Sequence, residues 1–367
     1  MRILHIITGL NRGGAEMMLY RIIKHSPNPL EHRVVSLLAE GFFAQKIREL
    51  GCIVESLNMT KNPLTFSPFR LLRIIKDARP DAIQCWMFHA NIMGGFFGRL
   101  AGVKNIVWGI HHSMSKYDRK ISHLINKIGA LMSHNFCKTV ICCGLRPLEV
   151  CKNSGYAADK LKCVYNGFEP DDFFLDENAR KKIRSELGLA DDAFAIVHMA
   201  RFHILKNHLG LLRIFAKLLA KNPDSYLVLV GDGLVGNGQI EGAIDELGIR
   251  ANVKMVGFRT DSCAFYSAAD VTVLPSLSEG FPNVVGESML CERPCITSAV
   301  GDCANITGHN DWAFELSDED GFAEKLFEFS KMPKSELKAC GQECRKRIVD
   351  NFGIEKIYGE YAETWRE

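Results

Sequence analysis

Short apolar runs alternate with longer segments of helical periodicity along almost the entire chain. Runs of this length with few polar residues indicate strands buried on both faces, as in parallel sheets covered by helices. The first series of predicted strands comprises Ile3–Thr8, Arg33–Leu38, Ile53–Leu57, Ala82–Trp86, Ile106–Ile110, Thr139–Cys143 and Leu161–Val164. The second series comprises Ala195–Met199, Tyr226–Val230, Val253–Val256, Val271–Leu274 and Cys295–Ser298. This alternation predicts an α/β protein with parallel sheets built from βαβ units.

The two series of strands predict two domains. A chain of 367 residues has room for two domains of about 150 residues each. The turn-forming segment Asn166–Asp172 lies between the series and predicts the hinge. We therefore predict Rossmann-like domains at residues 1–168 and 169–347, followed by a closing helix at 348–367 that could pack on either domain. Two such sheets facing each other would form a cleft, and ligands of these sheets bind beyond the carboxyl ends of the strands.

The charge of the chain is distributed unevenly. Residues 1–169 hold 23 Lys and Arg against 11 Asp and Glu, whereas residues 170–367 hold 22 against 32. A basic half of this kind suggests an anionic partner. The total composition is otherwise close to that of soluble globular proteins, which argues against disorder and against a nucleic-acid-binding tail. We expect no nucleic acid as a partner.

The thirteen cysteines are scattered, odd in number and without any C-x-x-C pair. This pattern supports neither a disulfide framework nor a zinc site, so we expect reduced thiols and a cytoplasmic protein. The apolar start of the chain breaks at Gly9, which is too early for a signal peptide. No apolar run approaches the ~18 residues that a membrane-spanning helix needs.

Two glycine-rich turns follow predicted strands. Gly13 and Gly14 open a helix after the first strand, where backbone N–H groups could approach an anion, although a tight turn explains them equally well. Gly231, Gly233 and Gly236 form a literal G-x-G-x-x-G motif. A dinucleotide site also needs an acidic residue at the end of the next strand, and here that strand ends in Gly-Phe-Arg. We therefore interpret this motif as a glycine-rich turn at the rim of the site.

Four charged residues of the second half are candidates for binding a phosphorylated ligand. Arg201 and Lys206 follow the first strand of that half, where two cations could neutralise a diphosphate and stabilise its departure. Glu279 and Glu287 stand eight positions apart, one in a loop and one in the next helix. One carboxylate could accept hydrogen bonds from sugar hydroxyls and the other from a ribose diol. A solvated basic loop and two unrelated glutamates are the simpler interpretation of these residues alone.

Taken together, these motifs resemble those of the retaining glycosyltransferases of family 4. That family has the GT-B fold, which consists of two facing Rossmann-like domains with a cleft between them. The resemblance covers nearly the whole chain, and its motifs occur in the family's order. They are Gly13-Gly14-Ala15-Glu16, Tyr165-Asn166-Gly167-Phe168, Ala200-Arg201 with Lys206-Asn207, Val230-Gly231-Asp232-Gly233, Val256-Gly257-Phe258-Arg259 and the E-x7-E segment Glu279–Glu287.

The resemblance implies a role for each matching residue. Residues 1–168 would bind the acceptor and residues 169–347 the nucleotide sugar. Arg201 and Lys206 match the diphosphate-binding pair, Glu287 matches the glutamate on the ribose, and Glu279 matches the glutamate at the donor sugar and reaction centre. The remaining donor contacts would come from Gly13, Gly14, Gly231, Phe258, Arg259, Phe281, Pro282, Asn283, Val284 and Val285.

The family also places a histidine near the donor sugar, at the end of a strand of the first domain. Both His111 and His112 follow such a strand, and we keep both as candidates because a shift of one residue reverses the direction of a side chain. His89 ends another strand and could face the acceptor or be structural. No D-x-D motif follows a strand, and the family is metal-independent, so we expect neither a metal nor a cofactor.

The resemblance implies a retaining glycosyltransferase. Its donor would be a nucleoside diphosphate sugar, with UDP favoured over GDP, and its acceptor a lipid-linked or polysaccharide glycan of bacterial-type O-antigen, capsule or lipopolysaccharide assembly. Nucleotide-sugar 2-epimerases share this architecture, and a non-catalytic scaffold that binds sugar nucleotides is a third possibility. Turnover of the donor without acceptor would indicate an epimerase.

Two segments of the basic half combine apolar periodicity with positive charge. Residues 116–137 carry six apolar residues at helical spacing, from Ile121 to Met132, beside Lys116, Lys120 and Lys127. In residues 70–79, four basic residues recur every third position. Such helices can lie on anionic lipid or can pack an apolar stripe against the core. Together with the charge, they predict peripheral contact with the inner face of the cytoplasmic membrane.

Overall fold

The computed structural model describes residues 1–59, 68–114 and 117–367, and the chain divides into two units. Unit 1 comprises Met1–Gly167 and Phe352–Glu367, and unit 2 comprises Phe168–Asn351. The division falls one residue before the predicted boundary. Because the chain returns to unit 1 at Phe352, its C-terminal helix belongs to the first unit.

Unit 1 contains a seven-stranded parallel sheet in the order β3-β2-β1-β4-β5-β6-β7. Its strands are β1 (Ile3–Ile7), β2 (His32–Ser36), β3 (Ile53–Ser56), β4 (Ala82–Trp86), β5 (Asn105–Ile110), β6 (Thr139–Cys142) and β7 (Leu161–Cys163). Its helices are α1 (Gly14–His25), α2 (Phe42–Glu49), α3 (Pro68–Ala78), α4 (Phe88–Leu100), α5 (Lys120–Phe136), α6 (Leu145–Asn153) and α15 (Ile354–Arg366). All seven predicted strands are present, with ends shifted by at most two residues.

Unit 2 contains a six-stranded parallel sheet in the order β10-β9-β8-β11-β12-β13. Its strands are β8 (Phe194–Met199), β9 (Ser225–Val230), β10 (Val253–Val256), β11 (Val271–Leu274), β12 (Cys295–Ser298) and β13 (Ala313–Phe314). Its helices are α7 (Glu177–Leu187), α8 (His208–Leu219), α9 (Gly238–Glu246), α10 (Ser262–Ala268), α11 (Asn283–Leu290), α12 (Cys303–Thr307) and α13 (Glu319–Lys331), followed by α14 (Lys334–Phe352). The prediction missed β13, because two residues make no recognisable apolar run.

The predicted closing helix at 348–367 is interrupted in the structure. Ile348 belongs to α14, and α15 begins at Ile354 after Gly353. Gly353 has an extended backbone, with ψ of 139°, which ends the helical path between the two segments. The aromatic residues of the segment therefore lie on two helices, with Phe352 on α14 and Tyr358, Tyr361 and Trp365 on α15.

The two basic segments differ in which face they bury. In α3 the apolar Leu71, Ile74 and Ile75 are buried, which is the ordinary core-facing arrangement. In α5 the buried residues are small or polar, namely Asn126, Gly129, Ala130 and Ser133. Its apolar residues Ile121, Leu124, Ile128 and Leu131 are instead 41–75% exposed. Lys116 lies outside the described residues.

A chain of hydrogen bonds runs through the core of unit 1 from β4 to α15. Trp86 Nε1 donates to His5 Nδ1 at 3.2 Å, and His5 Nε2 lies 2.8 Å from His32 Nδ1. His32 Nε2 in turn lies 2.9 Å from Ser26 Oγ, which lies 3.2 Å from the Tyr358 hydroxyl. An indole N–H can only donate, so His5 Nε2 and then His32 Nε2 carry the ring protons. Both imidazoles are therefore neutral.

Burial reinforces this neutral state. It holds the pKa of His5 well below its usual value and lowers the pKa of His32 to about 4. The unfolded chain binds protons at both rings below about pH 6.5, whereas in the native state His32 binds a proton only near pH 4 and His5 only well below pH 6.5.

We expect the free energy of unfolding to fall as the pH decreases from about 6.5 to about 4, by up to ~1.4 kcal/mol per pH unit for each such histidine. Urea unfolding over this pH range measures the slope. The variant His32→Gln should make the slope shallower, and Asn135→Gln, which changes an exposed residue without a titratable group, should leave it unchanged. Equal slopes for His32→Gln and the wild type would contradict this assignment.

Candidate active site

The predicted donor-binding residues of unit 2 follow the carboxyl ends of its strands. Arg201 follows β8, Gly231 follows β9, Phe258 and Arg259 follow β10, and Glu279 follows β11. Because the strands are parallel, these loops all lie at one edge of the sheet. This is the edge at which open α/β sheets bind ligands.

The structure brings two of the predicted residues into direct contact. Lys206 Nζ donates to Glu279 Oε1 at 2.6 Å, and both side chains are largely buried. Asn207 Nδ2 donates to the carbonyl of Pro275 at 3.1 Å. The backbone N–H of Leu277 donates to the carbonyl of Leu205 at 2.8 Å. The loops after β8 and β11 are therefore held together by both side-chain and backbone hydrogen bonds.

Gly231 permits a close approach between the loop after β9, in which it lies, and the loop after β8. A Cβ at this position would overlap the carbonyl oxygen of Ala200 and lie 2.9 Å from the backbone nitrogen of Arg201. The backbone N–H of Gly231 donates to the carbonyl of Val256 at 3.1 Å. Any larger residue would push the turn after β9 away from the segment that carries Arg201.

Helix α11 places the second predicted glutamate. Asn283 and Val284 are half-buried in its first turn, after the buried Phe281 and Pro282, and the buried Val285 follows. Glu287 stands one turn further, and its Oε2 lies 3.4 Å from the Tyr266 hydroxyl of α10. The beginning of α11 and its positive dipole end thus lie directly after the loop of Glu279.

Arg259 is already engaged by acidic residues. Its guanidinium donates to Asp261 at 2.7 Å and to Glu186 at 2.9 Å, and these hydrogen bonds raise its pKa. It also lies 4.9 Å from the centroid of the Phe265 ring. Phe258 is half-exposed beside it. Because Arg259 is paired with carboxylates, a ligand in this region would contact the Phe258 ring and would not find a free cation at Arg259.

In unit 1, Gly13 and Gly14 lie where they were predicted, at the start of α1. Gly13 is the N-cap residue in an extended conformation, and a Cβ there would collide with the carboxylate of Glu16. Burial raises the pKa of Glu16. The turn therefore brings a backbone segment without side chains to the carboxyl end of β1.

The two candidate histidines after β5 have different partners. The ring of His111 stacks on Trp86, with centroids 4.9 Å apart, and burial lowers its pKa to about 4 while Asn166 opposes that shift. His112 Nε2 lies 2.8 Å from Asp118 Oδ1. His89 is exposed in the first turn of α4, not at the end of β4. His111 is thus a neutral imidazole at the carboxyl edge of the sheet.

Three further residues shape the site of unit 2 and were not among the predicted site residues. Asn207 adopts a left-handed backbone with φ of 52°, and Tyr266 contacts Glu287. Gly301 also has a positive φ, and a Cβ there would lie 2.7 Å from the carbonyl oxygen of Glu279. A glycine or asparagine shortly after a buried strand signals such a turn. Tyr266 has no comparable sequence signal.

Two families match the chain. The one described as Glycosyltransferase Family 4 matches residues 12–172, and the one described as Glycosyl transferases group 1 matches residues 179–347. The chain therefore belongs to the group 1 glycosyltransferases, and the prediction of an α/β GT-B protein with two Rossmann-like parallel-sheet units is confirmed.

Individual relatives have more specific names. The chain is 27% identical to the Escherichia coli UDP-Gal:alpha-D-GlcNAc-diphosphoundecaprenol alpha-1,3-galactosyltransferase, over 78% of this chain and 75% of the relative. It is 25% identical to the lipopolysaccharide core biosynthesis glycosyltransferase LpsD of Rhizobium meliloti, over 98% of this chain and 97% of that relative. The crystal structure of Anabaena HepE (Alr3699) with UDP covers 99% of both chains with a TM-score of 0.87 at 23% identity.

We expect Gly231→Ala to lower the stability of the protein by about 1–3 kcal/mol, since the added methyl overlaps backbone that cannot move independently. Gly242→Ala is the matched control, because a Cβ at that exposed position of α9 meets no atom within 4 Å. Helix propensity should make that control neutral or up to about 1 kcal/mol more stable. Urea unfolding compares the two variants, and equal stabilities would contradict the close approach.

Proposed function

We propose that this glycosyltransferase transfers a sugar from a UDP-sugar to a lipid-linked or polysaccharide acceptor of a cell-surface glycan, with retention of configuration and without a metal ion. The observation that carries the proposal is the contact between Lys206 and Glu279 at the carboxyl edge of the unit 2 sheet. Within the described residues, no group of three or more His, Cys, Asp or Glu side chains could hold a metal ion, and metal independence stays a prediction.

The relatives support the substrate classes. HepE has been crystallised with UDP and with UDP-glucose, which favours a uridine nucleotide as the donor. The Escherichia coli relative is named for a UDP-linked sugar and a diphosphoundecaprenol acceptor, and LpsD is named for lipopolysaccharide synthesis. These names support a glycan built on a lipid carrier or a lipid core.

The local electrostatics suit a departing diphosphate. A lysine has three N–H donors, so Lys206 can keep Glu279 as a partner and still donate to a phosphate. Arg201 is exposed nearby in the chain and supplies a second cation. Positive charge placed before the reaction stabilises the negative charge that develops on the leaving group. Glu279 then lies next to the diphosphate end of the donor sugar, and Glu287 is assigned to the ribose.

We expect Lys206→Ala to reduce the transfer rate by about 10²–10³-fold, since it removes charge stabilisation from the leaving group. Glu279→Ala should also reduce transfer, and both variants should remain folded. Lys217→Ala, which removes a partly exposed ion pair between α8 and Asp320 of α13, is the control and should keep full activity. Transfer is measured by mass spectrometry of the acceptor.

A thermal-shift screen with UDP, GDP and ADP sugars tests the donor, because a ligand bound to the native state raises the unfolding temperature. Stabilisation by UDP-sugars in the wild type and its loss in Lys206→Ala would support the proposal. Unchanged transfer in both Lys206→Ala and Glu279→Ala would overturn the site. Conversion of the donor to its epimer without an acceptor would indicate that the protein is an epimerase and not a transferase.

We further propose that α5 binds the surface of an anionic membrane. Among the described residues, no helix is both long and apolar enough to cross a bilayer. Ile121, Leu124, Ile128 and Leu131 are spaced so that they share the outer face of α5. Arg119, Lys120 and Lys127 are exposed beside them. A helix that presents apolar and basic residues together matches the chemistry of the interface of an anionic bilayer.

The packing of α5 explains this unusual orientation. A Cβ at Gly129 would lie 2.8 Å from the Tyr156 hydroxyl, which itself donates to Asn126 Oδ1 at 3.0 Å. The helix thus packs closely through small residues and a buried hydrogen bond. Met132 and Phe136 pack against the core, while Ile121, Leu124, Ile128 and Leu131 remain on the outer face, where they could enter lipid.

We expect Leu131→Glu to weaken binding to phosphatidylglycerol-containing liposomes by about tenfold, since it replaces an apolar group at the interface with a charge. Leu131 is 75% exposed, and the control Leu30→Glu changes a residue that is 73% exposed in another part of unit 1. Flotation at low and high salt measures binding. The proposal would be contradicted if the wild-type protein stayed in the soluble fraction at low salt. An equal loss of liposome binding in Leu131→Glu and Leu30→Glu would also contradict it.

A further inference from the structure

Two cysteines of unit 2 lie in contact at the side of the helix that carries Glu287. Cys263 Sγ on α10 and Cys291 Sγ, directly after α11, are 3.6 Å apart. Cys263 is partly exposed, whereas Cys291 is fully buried. From this geometry we propose that Cys263 and Cys291 form a reversible redox pair, in which a hydroperoxide oxidises the accessible thiol and the buried thiol closes a disulfide between α10 and α11.

The surroundings of the pair favour reaction at Cys263. In its protonated form the Cys263 thiol donates to the carbonyl of Phe174 at 3.2 Å, and the Cys291 thiol is placed to donate to Cys263 Sγ. This second hydrogen bond lowers the pKa of Cys263, and Arg345 acts in the same direction, whereas burial and Asp176 oppose the shift. A lower pKa increases the fraction of Cys263 that is present as thiolate, which is the reactive form.

The chemistry needs only the hydroperoxide as oxidant. The Cys263 thiolate attacks one peroxide oxygen, the O–O bond breaks, and the products are a sulfenic acid and, for hydrogen peroxide, hydroxide. The hydroxide takes up the proton that the Cys263 thiol lost on ionising and becomes the first water. Cys291 sulfur then attacks the sulfenic sulfur, its proton leaves with the hydroxyl as a second water, and the S–S bond forms. Two thiols lose two electrons and the peroxide gains two. A dithiol reverses the reaction by exchange.

The distance fits this outcome. A disulfide requires sulfurs about 2.05 Å apart, so the two atoms must approach by about 1.5 Å from their present 3.6 Å. Cys340 and Cys344 provide a contrast, since they interact one turn apart on the same helix, α14. Cβ atoms at that spacing are about 5–6 Å apart, which exceeds the ~3.5–4.5 Å of a disulfide. That pair cannot close without unwinding the helix.

The disulfide would act on the proposed nucleotide site, and this consequence rests on the proposed function. Tyr266 lies three residues after Cys263 on α10, and Glu287 lies four residues before Cys291, so each pair shares a helix face. The two helices therefore touch at two neighbouring points, Cys263 with Cys291 and Tyr266 with Glu287. Drawing the sulfurs together shifts the helix that holds Glu287, and weaker UDP binding is the expected result.

Oxidation mapping tests the pair independently of function. Reduced full-length protein is treated with hydrogen peroxide, blocked by alkylation and digested without reductant. We expect a linked peptide containing Cys263 and Cys291, lighter by two hydrogens and reversed by dithiothreitol. Cys291→Ser should instead accumulate a sulfenic acid at Cys263 that reacts with dimedone. The control Cys340→Ser should form the cross-link as the wild type does.

Two results would overturn the redox pair. One is oxidation of wild-type Cys263 to sulfinic acid without the cross-link, and the other is a cross-link that forms equally at other cysteines. Alkylation of Cys263 should also begin at lower pH in the wild type than in Cys291→Ala, because the hydrogen bond from Cys291 lowers the pKa of Cys263.

Measurement of UDP affinity tests whether the disulfide affects the proposed nucleotide site. The oxidised wild type should bind UDP about tenfold more weakly than the reduced protein, a change of ~1.4 kcal/mol. Dithiothreitol should restore the affinity, and peroxide should have no such effect on Cys291→Ser. A cross-link without any change in UDP affinity would overturn the link to the nucleotide site. If the reduced protein bound no UDP at all, the proposed function would fail while the mapping would still decide the redox pair.

Discussion

The hydrogen bonding of a central parallel strand organises each unit. In unit 1, β1 pairs with β2 and β4 over its whole length, and in unit 2, β8 has β9 and β11 as neighbours. A strand with partners on both sides and helices on both faces is buried, as the whole of Ile3–Ile7 is, and its polar side chain His5 is hydrogen-bonded to Trp86 and His32. Because all strands run in the same direction, the loops at their carboxyl ends gather at one edge. The candidate donor-binding residues Arg201, Gly231, Phe258, Arg259 and Glu279 of unit 2 lie at that edge.

The shape of this edge depends on backbone contacts that exclude side chains. Gly231 lies against Ala200, and Gly301 lies against the carbonyls of Glu279 and Gly280. These glycines bring the loops after β9 and β12 close to the loops that carry the charged residues. The ion pair of Lys206 and Glu279 is thus held by a framework of backbone hydrogen bonds, which limits the reorganisation needed when a charged ligand binds.

Much of the fold could be predicted from sequence, because buried parallel strands are continuous apolar runs with clear ends. The loop positions of Arg201, Lys206 and Glu279 followed from the order of strands. Their contacts did not, since Lys206 and Glu279 are 73 residues apart and meet only through the pairing of β8 with β11. Periodicity likewise predicted α5 but not which face it buries. The buried face is set by the close packing of the small residues Gly129 and Ala130. A periodicity analysis gives most weight to large apolar residues and so does not identify this face.

The C-terminal segment contacts Trp86, the residue on which the candidate site residue His111 stacks. Trp86, at the end of β4, stacks on His111 and also on Tyr361 of α15, while its indole N–H begins the hydrogen-bond chain through His5. The indole therefore has little freedom to move. His111 packs against the face of this indole, and burial opposes its positive charge by lowering its pKa. His111 is therefore a neutral imidazole, which can donate one hydrogen bond and accept another. The return of the chain to unit 1 thus stabilises the histidine environment at the carboxyl edge of that sheet.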